Sequence, residues 1–147
     1  MGRDDVKPTT LMGASTWNSK QTLDHCERDC DHALFVDAFY PDGTDPKVRD
    51  FVAAFRDLTG AEPSLWEAQA FDSGGLLKWI LSTDKPSDRK LMRASLLKMT
   101  GYTGTTGTLR FDKSGEVKRK LLTLTIEKVD DDRTIKVWEG AETKPEG

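Results

Sequence analysis

Between Asp24 and His32 the chain reads DHCERDCDH, its densest run of side chains able to do chemistry. Cys26 and Cys30 stand four residues apart, so on a helix they share a face, a spacing that suits two thiolates on one zinc ion. His25 and His32 flank them. On a helix, however, His25 points about 100° away from Cys26, and the spacing fits no common zinc pattern. Leu23, Cys26 and Cys30 also form an ordinary apolar stripe, where free thiols pack as small hydrophobes. Three states stay open: packed thiols first, then a local or intermolecular disulfide, whose share rises in an oxidising compartment, and last a metal pair. No metal and no cofactor is expected, with His25, Cys26, Cys30 and His32 as weak metal candidates only.

The other chemistry-bearing patterns are missing from the sequence. It has no G-x-S-x-G, no H-E-x-x-H and no phosphate loop, because Gly101–Gly107 (GYTGTTG) lacks the lysine a P-loop requires. The expectation is a protein that is not an enzyme. Charged residues make up 32% of the 147 positions with a net charge of −3 and no basic stripe, which argues against nucleic acid as a partner. No apolar run approaches the ~20 residues of a membrane helix, and no signal-peptide pattern is present. Four tryptophans and six phenylalanines are enough to anchor a core in one domain.

The elements that must position these groups read in the order β-α-β-α-α-α-β-β-β. Thr9–Gly13 is a short strand, Ala14–Asn18 a polar loop, and Ser19–Asp29 a modest helix with Asn18 as its N-cap. Ala33–Tyr40 is strand-like and stops at Pro41-Asp42-Gly43. Asp45 caps a helix with Pro46 at its first position, an apolar stripe of Val48, Phe51, Val52, Phe55 and Leu58, and Gly60 as left-handed C-cap. A second helix from near Pro63 to about Leu81 carries Leu65, Trp66, Ala68, Ala70, Phe71, Leu76, Leu77, Trp79 and Ile80. That is more than one stripe, so it is expected to be buried on most sides. Gly74-Gly75 inside it lowers helix propensity and predicts close packing against a neighbour. Ser87 caps a third helix over Asp88–Lys98, and Thr134–Trp138 is a final strand after an Asp130–Arg133 turn.

The most informative stretch runs from Gly101 to Glu127. A Gly/Thr-rich loop leads into Thr108–Phe111; Asp112–Glu116 signals a turn with Gly115 free to take a positive φ; then Leu122, Leu124 and Ile126 recur at period two. The expected structure is two strands joined as a hairpin. T-G-T-L-R-F-D-x-x-G-E resembles the ending of the type I periplasmic binding proteins, the branched-chain amino-acid receptor type. The resemblance continues upstream. Leu11–Ser19 is similar to that family's strand and loop reading L-x-G-[ST]-x-x-W-x-[SD], Ala33–Pro41 to its G-x-V-F-V-x-x-F strand, Asp45–Gly60 to its D-P helix, and Glu62–Leu77 to its A-x-A-Y-D-A helix. In tone the chain also resembles the penicillin-binding-protein-activator-like members.

The resemblance implies an α/β, Rossmann-like partial lobe with a C-terminal β-hairpin. Residues 9–140 would form the C-terminal portion of the domain, residues 1–8 a disordered or arbitrary start, and residues 141–147 a polar tail. It implies non-catalytic recognition of an amino acid or similar small polar solute, as the receptor of an ABC transporter in the periplasm. The alternative is an envelope protein-protein interaction module without a small ligand. It places Ser15, Thr16 and Trp17 at the ligand, with Phe71 standing where the family has a tyrosine; without the resemblance, the loop reads as a cap on the following helix with Trp17 packed beneath it. Phe71 by itself reads as core, and Asp72 as a local cap or pair. No acid occurs from Ala14 to Trp17 to meet a ligand ammonium. The lobe that holds a ligand carboxylate in the family is absent, so the chain alone is expected not to bind amino acids. With upstream strands gone, Ala33–Tyr40 is expected to lie at an open edge, which predicts a homodimer.

Overall fold

The computed structural model describes residues 10–26 and 30–140. Along the chain come β1 (Met12–Gly13), a 3-10 turn (Ser15–Trp17), α1 (Lys20–His25), β2 (Leu34–Asp37), α2 (Pro46–Thr59), α3 (Leu65–Thr83), α4 (Arg89–Lys98), β3 (Tyr102–Gly104), β4 (Gly107–Phe111), β5 (Val117–Lys118), β6 (Leu122–Val129) and β7 (Asp132–Val137). They divide into two compact units. Among the described residues, the first holds 10–26, 30–37 and 122–140, the second 38–121. The expected irregular start at 1–8 and the tail at 141–147 lie outside the described residues.

The first unit is a mixed sheet in the order β1-β2-β6-β7. β1 pairs parallel with β2, and β6 runs antiparallel beside β2 with Phe35 opposite Leu124. The period-two spacing of β6 does its work here, because Leu124 and Ile126 are fully buried with Phe35. β6 and β7 form the C-terminal hairpin, turning at Asp130, whose φ is 56°. Aspartate tolerates this left-handed geometry better than most side chains.

Several expectations are corrected in this unit. The first strand is only Met12–Gly13. Ser19, not Asn18, caps α1, its hydroxyl accepting from the Thr22 amide at 3.1 Å. Asn18 instead donates across the fold to the Asp37 carboxylate at 2.8 Å. α1 ends at His25 because Cys26 has an extended backbone and is joined to Cys30 by a disulfide. The disulfide replaces both the packed thiols and the thiolate pair on zinc. The expected helical residues Glu27–Asp29 lie outside the described residues. Strand pairing covers Leu34–Asp37 rather than Ala33–Tyr40. It does not leave that strand at an open edge, since β6 returns from far along the chain to pair with it.

The second unit packs three helices with a small sheet, β3-β4-β5. α2 follows its end signals: Asp45 accepts from the Lys47 amide at 2.8 Å, Pro46 opens the helix, and Gly60 closes it at φ 70°. Val48, Phe51 and Val52 pack with Phe39 and Ala68, each worth roughly 1.5–3 kcal/mol when a large apolar side chain is fully buried. Leu58 of the expected stripe is exposed, because it sits in the last turn of α2, beyond this cluster. Asp88, not Ser87, caps α4, accepting from the Leu91 amide at 2.8 Å.

Further corrections follow. Gly101–Gly107 is not a loop but most of a hairpin, with Tyr102 opposite Leu109. The runs at 108–111 and 122–126 therefore belong to different sheets, since β4 spends its two edges on β3 and β5. α3, expected to be buried all round, buries one stripe: Ala68, Asp72, Leu76 and Ile80. Trp66 is 72% exposed, and Phe71, Leu77, Trp79 and Leu81 are exposed too. Close packing holds at Gly75, where a Cβ would fall 2.2 Å from the Tyr102 hydroxyl, and not at Gly74, which has open space.

Candidate functional site

The turn at Ser15–Trp17 is built by local physics. β1 ends at Gly13, where a Cβ would lie 2.3 Å from Trp17 Cδ2, so only glycine lets the indole lie over the backbone. The indole also meets Phe35, ring centroids 6.4 Å apart and tilted by 52°. Trp17 and Asn18 amides donate to the Ala14 and Ser15 carbonyls at 3.0 Å, closing the turn. Ser15 and Trp17 are half-buried and Thr16 is exposed. The Asn18–Asp37 bond ties the residue after the turn to the end of β2. Ser15, Thr16 and Trp17 are thus brought together on one short turn, whose hydroxyl chemistry suits hydrogen bonds to a polar solute.

Phe71 is on α3 in the second unit. It is 58% exposed, so it is not the core residue its sequence position suggested, though its ring stays 4.9 Å from that of Phe51. Its neighbour Asp72 carries the chemistry that sequence reasoning passed over. Asp72 is 1% exposed, and its carboxylate accepts four hydrogen bonds from the turn between β3 and β4. The Thr105 amide and hydroxyl donate to Oδ1 at 2.7 and 3.0 Å, and the Thr106 amide and hydroxyl donate to Oδ2 at 2.8 and 2.6 Å. Arg119 Nη1 donates to the Thr106 hydroxyl at 3.2 Å, extending the network to a cation. A Cβ at Gly104 would fall 2.2 Å from Oδ1, so glycine is required for the hairpin to reach the carboxylate. A buried carboxylate is tolerated when hydrogen bonds replace its hydration, and here each oxygen has two. The signals in the sequence were the 68-72-76-80 spacing, which aims Asp72 inward, and the paired hydroxyls of Thr105-Thr106.

Asp72 also acts on its surroundings. The Tyr102 phenol is pushed above its ordinary pKa by burial and then by the Asp72 charge. At the exposed turn after β4, Asp112 plays a similar part in water. It accepts from the Ser114 amide and hydroxyl and from the Glu116 amide. Its carboxyl is held well below the usual range, chiefly by the Ser114 hydroxyl, then by the Glu116 amide and Lys118. Gly115 supplies the positive φ, 91°, that this turn needs.

Among the described residues no group of three or more His, Cys, Asp or Glu side chains is placed to hold a metal ion. His25 is turned to the Gln21 carbonyl at 2.8 Å, and His32 donates its backbone amide to Ile126. Two open hollows in the first unit, of about 840 and 490 Å³, are lined by residues such as His32, Glu127 and Trp138 or Lys20, Asp24 and Arg133. Neither touches the Ser15–Trp17 turn. No helix among the described residues is long and apolar enough to cross a membrane.

No family model matches the chain, and no curated protein matches it significantly. Solved structures do. A protein assigned to a branched-chain amino-acid ABC transporter of Rhodospirillum rubrum is 27% identical, over 90% of this chain and 38% of its own, with a TM-score of 0.77. The branched-chain amino-acid transporter substrate-binding protein LivJ of Streptococcus pneumoniae, solved with isoleucine, is 20% identical over 88% of this chain and 37% of its own, TM-score 0.68. An ABC-transporter solute-binding protein of Rhodopseudomonas palustris, solved with 3,4-dihydroxybenzoic acid, is 16% identical over 87% and 35%, TM-score 0.69. The chain spans a little over a third of the length of these proteins. It carries the α/β type I periplasmic-binding-protein fold of the branched-chain amino-acid ABC-transporter substrate-binding proteins, over that share of their length.

Proposed function

We propose that residues 9–140 form the C-terminal portion of a non-catalytic, solute-recognising domain that works in the periplasm and presents Ser15, Thr16 and Trp17 to a small polar ligand. The match to the Rhodospirillum rubrum protein over nine-tenths of this chain carries the reading. The neighbours are solute-binding proteins, which supports ligand recognition and not the envelope interaction module. The Cys26–Cys30 disulfide supports an oxidising compartment.

The turn also narrows the solute. Hydroxyls at Ser15 and Thr16 can hydrogen-bond an oxygen-rich ligand, but with no acid from Ala14 to Trp17 they do not offset a buried ammonium. A ligand without an ammonium, of the kind bound by the Rhodopseudomonas palustris neighbour, fits this turn better than an amino acid does. Phe71, a second candidate contact on α3, is tested separately by its own substitution.

The test is a chimera in which this chain replaces the matching 38% of the Rhodospirillum rubrum protein. It is screened by thermal shift against aromatic carboxylic acids and amino acids. A ligand at 100 times its Kd stabilises by about 2.7 kcal/mol. Ser15→Ala with Thr16→Val should abolish the shift, whereas the 147-residue chain alone should show none. A chimera that folds but responds to no solute of either class, or responds equally with both hydroxyls removed, overturns the reading.

A further inference from the structure

Asp37 ends β2 and is 2% exposed, a buried carboxylate that the hydroxyl chemistry of the turn leaves unused. β1 and β2 run parallel with Gly13 opposite Phe35, so the turn leaving β1 and the end of β2 emerge at the same edge of the sheet. That is the carboxyl edge, where open α/β sheets bind their ligands. Asn18 joins the two segments there. Its backbone amide donates to the Ser15 carbonyl at 3.0 Å, and its side-chain amide donates to Asp37 Oδ2 at 2.8 Å. One residue both closes the turn and fastens it to β2.

We propose that the Asn18–Asp37 pair is a clasp that orients Ser15, Thr16 and Trp17 toward the solute, with Asp37 as a positioning residue; this rests on the reading that the turn meets the solute. A second contact completes the clasp. Trp17 meets Phe35, which stands two residues before Asp37 and so on the same face of β2. Consecutive residues at the end of the turn thus grip alternate residues of one strand. Either contact alone leaves the turn free to pivot about it, and the two together fix its direction. They differ in kind. The ring contact is apolar and non-directional, whereas a hydrogen bond to a carboxylate has strict demands of distance and angle. Asp37 is out of solvent, so it does not meet the solute itself and acts through Asn18. A buried carboxylate is costly unless donors replace its water, which holds the Asn18 amide to this task. A turn fixed before the solute arrives loses less freedom on binding, and affinity rises by that difference.

A charge-swap cycle tests the clasp. Asn18→Asp sets two carboxylates against each other and opens it; adding Asp37→Asn returns a donor and closes it with the partners exchanged. In the 147-residue chain, hydrogen exchange of the Trp17 amide, which donates to the Ala14 carbonyl, reads the turn without any solute. Exchange should quicken about tenfold in Asn18→Asp and return to within about threefold of the parent in the double variant. In the chimera, calorimetry with 3,4-dihydroxybenzoic acid and with isoleucine should give, for the one that binds, a Kd raised about tenfold by Asn18→Asp and restored by the double variant. Ile126→Val, a core loss elsewhere in the same unit, should leave Kd unchanged. Exchange that ignores Asn18→Asp overturns the proposal, as does a Kd that stays put while exchange quickens. A Kd moved as far by Ile126→Val reduces the pair to ordinary stability and overturns it too. A parent chimera that binds neither solute overturns the reading of the turn and the clasp's part in recognition with it; the exchange cycle, which needs no solute, keeps the two failures apart.

Discussion

The turn at Ser15–Trp17 and the turn at Thr105-Thr106 are both short, both rich in hydroxyls and both hemmed by a glycine that a Cβ would ruin. They are held differently. The first is closed by backbone hydrogen bonds and covered on one side by its own tryptophan, leaving Thr16 in water. The second donates two amides and two hydroxyls to one buried carboxylate, and both threonines are out of solvent. Hydroxyls consumed inside the protein are architecture; a hydroxyl left at the surface can recognise something else. Residue type does not separate the two cases, and burial does.

The strongest way to break that comparison is Asp72→Ala. It leaves four buried donors without their acceptor, and we expect a loss of about 3 kcal/mol or more in urea unfolding. A loss below about 1 kcal/mol would mean the clasp is not architecture. Next comes the disulfide of the first unit. Closing a five-residue loop contributes about 2 kcal/mol in the chain-entropy picture, so Cys26→Ser with Cys30→Ser, or a reductant, should lower the melting temperature accordingly. A strong chelator should leave it unchanged; a drop of several degrees would revive a metal at these residues.

Gly13→Ala probes the turn proposed to recognise the solute. The added Cβ must displace the indole, at about 1–2 kcal/mol, and should also diminish any ligand-induced shift in the chimera. A ligand shift that is untouched while stability falls would detach Trp17 from recognition.

The smallest effect belongs to Asp112, which repeats the Asp72 chemistry in water. Its folded pKa is depressed, so its contribution is present above the unfolded carboxylate value of about 4 and is lost as pH falls toward the folded one. Thermal melts of Asp112→Asn should therefore depend less steeply on pH below about 4 than those of the parent chain. An unchanged slope would show that the turn's hydrogen bonds are too exposed to matter even there.

Much of the local structure was legible without coordinates because local signals decide it. Asp45, Pro46 and Gly60 bound α2 as read, since caps depend only on the neighbouring amides and on φ. Gly115 and the period-two run of β6 were read correctly for the same reason. Where two adjacent residues could both cap, Asn18 or Ser19 and Ser87 or Asp88, the sequence named the wrong one, and in α1 a distant partner, Asp37, had claimed the first.

By itself the sequence determined the bounds of α2, the alternation of β6 and which family the chain resembles. Only the tertiary structure decided which strands are neighbours, because pairing β2 with β6 joins residues some ninety positions apart and leaves no local trace. It also decided which apolar residues of α3 are core and which face water, since a helix with two apolar stripes does not say which one the rest of the chain will cover. Asp72 is the clearest case. A carboxylate beside an aromatic reads as a local cap or pair until the hairpin that fills its valences is folded against it, and burial with four donors is a property of two segments together.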